Sequence, residues 1–179
     1  MRIIAGVHKG IPLTSAEGMS TRPTTDYIRE MIFSTLYSMR PPKKKVLDLF
    51  AGSGALGLEA LSRGASSATF VETENEPISK IHKNIEKLNE QKRCTVIPKK
   101  ADFFLKNCKD KFDLIFADPP YERSYVNVTL YQIYENELLS EKGIIIIEHS
   151  INEPIDPIYK ENIIKEKING KSVVTFLSW

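Results

Sequence analysis

The sequence predicts an α/β fold: a mostly parallel β-sheet with helices on both faces and an antiparallel hairpin at its C-terminal end. Three observations carry that prediction. From residue 46 onward, strand-like runs alternate with helix-like runs at the spacing of a parallel sheet with crossover helices. The first of these strands opens straight into a glycine-rich turn and a helix, over 48–57 (DLFAGSGALG). The tail breaks the alternation, because Asn169-Gly170 joins two β-rich runs and is a strong hairpin signal.

The elements follow in order. Residues 2–6 (RIIAG) and 11–14 (IPLT) flank Lys9-Gly10 and read as a small hairpin. After a loop through Pro23, residues 24–39 read as a helix, capped by Thr24 or Thr25, with Asp26 at the positive end of its dipole. Ile28, Met31, Ile32, Leu36 and Met39 recur at three- and four-residue spacing along one face. RPPKKK at 40–45 stops the helix and reads as a linker. Strands are expected at 46–50, 67–72, 94–98, 112–117 and 143–148, with helices at 55–63, 77–90, near 102–107 and within 124–137. Residues 161–168 and 172–178 form the terminal hairpin. The chain thus divides into an N-terminal extension, 1–44, and a main domain, 45–179.

A chain of 179 residues with 41% hydrophobic and 27% charged content suits one globular domain with a small appendage. The longest clear apolar run, Ile144 to Ile147, is strand-sized, far short of the ~20 residues of a membrane helix. No signal-peptide pattern opens the sequence. Cys94 and Cys108 form no CxxC and read as ordinary thiols of a reducing cytosol. Charge is uneven: residues 1–45 hold eight Lys/Arg and three acids (8 − 3 = +5), the remainder 17 and 20 (17 − 20 = −3). A basic N-terminal third on a slightly acidic body suits a polyanion-binding appendage.

Gly52, Gly54 and Gly57 make a G-x-G-x-x-G between a strand and a helix, and Glu72 ends the next strand twenty residues after Gly52. The glycines allow a tight turn and close approach of a ligand, and an acid at that strand end can accept two ribose hydroxyls. Phe50 and Ala51 head the turn and join the expected ligand-binding set. Asp48 lies inside the strand just before the turn, a poor neighbour for a pyrophosphate. It suits a cationic ligand, such as the ammonium or sulfonium of S-adenosyl-L-methionine; a plain alternative is a hydrogen bond to the turn's own amides. Asp102 is expected to reach an adenine amino group, with Phe103 against the ring, or to act as a helix N-cap.

FADPPY at 116–121 leaves the fourth strand at the same sheet edge. Two prolines hold an extended backbone and stop the ladder. Asp118 and the carbonyl of Pro119, held out by the Pro119 and Pro120 rings, can accept the two hydrogens of an exocyclic amino group. Tyr121 can stack on the base and hold it in line with a methyl donor. That is positioning plus electrostatics, with no metal or covalent nucleophile required. A strand stop with a half-buried tyrosine is the plainer reading of the motif taken alone. His8 reads as a loop residue able to touch RNA, His82 as solvated, and His149 as a residue with no assigned role beside the cleft.

DLFAGSGALGLEALSRGA, then FVE, then DPPY resembles the class I S-adenosylmethionine-dependent methyltransferases that act on amino groups. RIIAG and RPTTDYIREMIFSTL sharpen the resemblance to the RsmD-type enzymes, which methylate the N2 amino group of a guanine in small-subunit ribosomal RNA. The resemblance implies a Rossmann-like methyltransferase sheet and S-adenosyl-L-methionine at Gly52, Gly54 and Glu72. It also implies a guanine at Asp118 to Tyr121, and RNA against Arg2, Lys9, Arg22 and Lys43. Ribosomal RNA in an assembling small subunit would be the partner of a cytoplasmic, monomeric enzyme with no membrane contact. The acid–Pro–Pro–Tyr motif is shared with DNA adenine-N6 methyltransferases, which stay open as an alternative. So does a non-catalytic RNA-binding assembly protein.

Overall fold

The computed structural model describes residues 1–15, 26–39, 45–120 and 124–179. The linker at 40–44, the Thr24 and Thr25 caps, Arg22, Lys43 and Tyr121 lie outside the described residues.

Seven strands form one mixed sheet: β1 (Lys45–Leu49), β2 (Ser67–Glu72), β3 (Cys94–Pro98), β4 (Phe112–Ala117), β5 (Leu139–Ser150), β6 (Ile163–Asn169) and β7 (Ser172–Leu177). Their order is β3-β2-β1-β4-β5-β7-β6. The first five run parallel, and β7 pairs antiparallel with both β5 and β6. The helices are α1 (Asp26–Met39), α2 (Ala55–Ser62), α3 (Asn75–Lys87), α4 (Ala101–Asn107) and α5 (Tyr125–Glu135).

Strand alternation splits the core into two layers. Val46, Phe70, Leu114, Phe116 and Ile146 pack on one face beneath Ile32 of α1, Leu58 of α2 and Ile81 of α3. Leu47, Ile115 and Ile147 pack on the other with Leu105 of α4 and Leu130 of α5. Ile28, Ile32 and Leu36 of α1 are buried as their spacing predicts, and Met31 and Met39 pack at the layer's margin.

The N-terminal segment reverses around Lys9-Gly10 as a short hairpin: Arg2 bridges Pro12, the Ile3 amide donates to Ile11 O at 3.0 Å, the Gly10 amide to Ile3 O at 2.9 Å and the Leu13 amide to Met1 O at 3.1 Å. It is also held by α2 and α3. Buried Glu59 of α2 accepts from the Ile4 amide at 2.7 Å and the Ala5 amide at 3.0 Å. Ser62 Oγ donates to Ala5 O at 2.6 Å and accepts from the His8 amide at 3.1 Å. Fully buried Asn84 of α3 grips both backbone groups of Thr14, at 2.8 and 3.0 Å. The segment passes so close to α2 that a Cβ on Gly6 (φ +88°) would sit 1.9 Å from Ser62 O. Ile3 and Leu13 join the same core layer as α1 and α2.

The fifth strand is longer than the apolar run suggested. It begins at Leu139, continues past Glu148 to Ser150, and its pairing with β4 shifts register between Phe112 and Leu114.

Arg29 of α1 is fully buried although it stands in an amphipathic helix. Its Nη2 donates to Asp26 Oδ1 at 2.9 Å and to Arg2 O at 2.5 Å, tying α1 to the N-terminal segment. Burial lowers its pKa, and Asp26 and Glu59 pull the other way.

Candidate active site

The chain builds β1, moves outward to β2 and β3, then returns to place β4 on the other side of β1. That reversal opens a crevice at the carboxyl ends of β1 and β4, where open α/β sheets bind ligands. Leu49 pairs with Val71 and with Ala117, so Phe50, Glu72 and Asp118 each stand one residue past these β1 pairs at one edge.

The turn after β1 is tight. Phe50 takes a left-handed conformation (φ 58°), a strain of about 1 kcal/mol for an L-residue. The Ala51 amide donates to Val71 O at 3.1 Å, and the Gly54 amide to Ala51 O at 2.7 Å. Gly52 and Gly54 have φ of 56° and 76°, which glycine alone adopts freely. The Gly52 amide donates to Glu72 Oε2 at 2.8 Å, while Glu72 Oε1 accepts from the Thr73 and Glu74 amides at 2.7 and 3.2 Å. Glu72 is therefore a fixed carboxylate that holds the glycine turn to the end of β2. Gly57 is glycine for packing: a Cβ there would meet Phe70 Cε1 at 2.4 Å and Asp48 Oδ2 at 3.2 Å.

Asp48 is buried, and its Oδ2 accepts from the Gly57 amide at 2.9 Å, the bond to the turn's own backbone. Burial pushes its carboxyl up to about 8, against the pull of the Gly57 amide. The folded protein thus holds this proton more tightly than the unfolded chain. The resulting stability is fully present below the ordinary value of 3.8 and is lost as pH rises to about 8. Asp48→Asn keeps an acceptor for Gly57 and removes the titration. Urea unfolding of both proteins should show the variant gaining on the wild type from about pH 4 to about pH 8.

Across the crevice, Asp118 is half-buried, Pro119 buried and Pro120 exposed. Tyr125, at the start of α5, brings its ring to 6.1 Å from that of Phe50 and closes an aromatic wall over the turn. Asp102 and Phe103 lie beyond β3, both exposed, with Lys99 Nζ 5.6 Å from the Phe103 ring centre. Asp102 is not an N-cap: Lys100 holds that position and Asp102 sits in the first turn of α4. Arg2 and Lys9 are exposed.

Two residues went unrecognised in the sequence. Glu148 lies one residue past the Ala117–Ile147 pair, so β5 brings it alongside Asp118. Its signal was an acid closing a run of four isoleucines. Asn84 donates to Ser53 O at 3.0 Å and so links the glycine turn to Thr14. An asparagine inside a helix, where it is a poor former, was the only hint. His8 pairs with Glu90 at 2.5 Å. His149 is a core histidine, within 2.9 Å of Thr175 Oγ1 and 3.1 Å of Ser150 O.

Cys94 and Cys108 are free, and burial pushes both thiols up, Cys94 to about 12, so neither is poised as a nucleophile. Among the described residues no cluster of His, Cys, Asp and Glu is placed to hold a metal. No helix among them is long and apolar enough to cross a membrane.

Sheet order, glycine turn, strand-end acid and acid–Pro–Pro corner together define a class I methyltransferase. The chain belongs to the family described as Conserved hypothetical protein 95, whose model it matches over residues 1–178. It is 33% identical over 175 residues to the Ribosomal RNA small subunit methyltransferase D of Haemophilus influenzae, covering 95% of this chain and 89% of that protein. It is 32% identical over 172 residues to the protein of the same name in Escherichia coli K12, covering 96% and 86%. The solved structure of yhhF from Escherichia coli superposes with a TM-score of 0.84 at 31% identity, over 98% of this chain and 96% of that one. The chain is a methyltransferase.

Proposed function

We propose that the protein transfers the methyl group of S-adenosyl-L-methionine to the exocyclic N2 of a guanine in small-subunit ribosomal RNA. The observation that carries this reading is the Asp118-Pro119-Pro120 corner, set beside the glycine turn at the switch point of the sheet. The relatives known as Ribosomal RNA small subunit methyltransferase D favour ribosomal RNA as the nucleic acid.

Each group has a role. The cofactor lies along the turn of Phe50, Ala51, Gly52 and Gly54. Its ribose hydroxyls meet Glu72, which keeps acceptor capacity beyond its amide bonds because a carboxylate accepts at about four positions. Asp48 faces its cationic end from below the turn, and Asp102 and Phe103 flank its adenine. Asp118 and the Pro119 carbonyl accept the two N2 hydrogens, which localises the lone pair on nitrogen, and Tyr121 stacks on the guanine. The N2–CH3 bond forms as the S–CH3 bond breaks; the pair returns to sulfur, giving S-adenosylhomocysteine, and the N2 proton leaves to Asp118 or water. Positioning and electrostatics supply the acceleration.

Residues 1–44 form the RNA-facing extension, with Arg2, Lys9, Arg22 and Lys43 against phosphates. The enzyme acts in the cytoplasm as a monomer on an assembling small subunit. Labelled methyl transfer from S-adenosylmethionine to assembling 30S particles, free 16S RNA and duplex DNA tests this. Transfer to the particles or RNA is expected; transfer to adenine in duplex DNA alone, or no cofactor binding by calorimetry, would refute it.

A further inference from the structure

We propose that Glu148 reads the N1–H of the target base and so makes the site selective for guanine. The inference rests on the function proposed above and answers what the acid–Pro–Pro corner leaves open. That corner grips an amino group, and guanine, adenine and cytosine all carry one.

Sheet register places the carboxylate. β4 and β5 run parallel with Phe116 opposite Ile146 and Ala117 opposite Ile147, so Glu148 comes alongside Asp118. Adjacent strands lie about 4.8 Å apart. Phe116 and Ile146 belong to one core layer, and strand side chains alternate, so Glu148, two residues after Ile146, faces that same layer. The antiparallel neighbour agrees: Val174 pairs with Glu148 and is buried in that layer. Ser172 Oγ donates to Glu148 Oε1 at 2.5 Å and fixes the carboxylate from β7.

Glu148 follows four isoleucines and is 7% exposed, so its burial carries a desolvation cost that an aliphatic residue would not. Ser172 offsets part of that cost, and the ligand-binding edge of the sheet is where such a carboxylate can meet a substrate. Guanine presents two neighbouring donors, N1–H and the N2 amino group. Carboxylates on adjacent strand ends match that pair, with Asp118 on N2 and Glu148 on N1–H. Adenine and 2-aminopurine instead present an N1 lone pair beside their amino group. Against Glu148 that lone pair is repelled and the carboxylate loses its partner. Sites built around a hydrogen bond reject analogues that lack it by large factors.

2-Aminopurine is the probe, because it keeps the N2 amino group and replaces the N1–H by an acceptor. Single-turnover methylation is measured on small-subunit RNA carrying either guanine or 2-aminopurine at the mapped target. The wild type should prefer guanine by at least about 100-fold. Glu148→Gln should slow guanine methylation and speed that of 2-aminopurine, since an amide can turn a donor toward N1. The preference then falls to within about tenfold, with S-adenosylmethionine affinity unchanged within about twofold. Ser172→Ala, which removes the hydroxyl that aims Glu148, should narrow the preference in the same direction by a smaller factor, and it carries the test alone if Glu148→Gln fails to fold. A lost stabilising contact would lower both rates together and leave the ratio where it was. An unchanged ratio in the folded variants, or a wild type that accepts both bases equally, overturns the role of Glu148 while the proposed function stands. A wild type that methylates neither RNA overturns both.

Discussion

Asp118→Ala should cut methyl transfer by about 10²–10⁴-fold while leaving S-adenosylmethionine affinity within about threefold. Asp118 stands one residue past the Leu49–Ala117 pair, across the crevice from the glycine turn, and the described bonds that shape that turn come from Glu72, Val71, Asp48 and Asn84. Removing the Asp118 carboxylate leaves those bonds in place. It deletes an acceptor for the amino group at the moment its nitrogen becomes nucleophilic. Asp118→Asn is the sharper variant: it keeps shape and one acceptor oxygen but presents an N–H where the substrate also has one. Rapid-quench single turnovers with saturating cofactor separate the chemical step from binding. A variant that transfers methyl groups at the wild-type rate would remove Asp118 from the mechanism.

The second large effect concerns stability. Glu59→Ala should destabilise the fold by about 3–5 kcal/mol. Glu59 is fully buried, takes the Ile4 and Ala5 amides and holds Arg63 Nε at 2.7 Å. Truncation leaves two backbone donors and a guanidinium without their acceptor, a far larger loss than an exposed i,i+4 pair would give. The N-terminal segment should also become the first site cut by trypsin, since Arg2 and Lys9 flank the released amides. Urea unfolding and limited proteolysis measure the two consequences, and a loss below about 1 kcal/mol would mean that Ser62, Asn84 and the apolar contacts hold the segment without Glu59.

Much of the catalytic half was legible because its determinants are local. Gly52 and Gly54 stand between a strand and a helix that Gly57 helps open, Glu72 ends the next strand, and Pro119-Pro120 follow a strand that has finished. The parallel run of the first five strands and the antiparallel end follow from strands alternating with helices until Asn169-Gly170 reverses the chain. What escaped reading depends on distant partners. Glu59 looked like an ordinary polar residue of a short helix, yet its amides lie 54 and 55 residues away. Asn84 reaches Thr14 across 70 residues and Ser53 across 31. Nothing in the helical spacing marks Arg29 as buried, and its carbonyl partner, Arg2, is 27 residues away. The N-terminal reversal around Lys9-Gly10 was legible, but its bonds to α2 were not, since no alternation pattern within residues 1–14 reports them. Glu148 required the β4–β5 register, and that register includes a shift.

The central claim is that the two strand-end motifs serve one amino group, the N2 of a guanine. Its most direct test is to methylate small-subunit RNA with the purified protein and isotopically labelled S-adenosylmethionine, digest the RNA to nucleosides and identify the labelled one by mass spectrometry. The account predicts a single labelled product, N2-methylguanosine, at one position of the chain. A label on adenosine N6, on a ring carbon or on a ribose oxygen would contradict it.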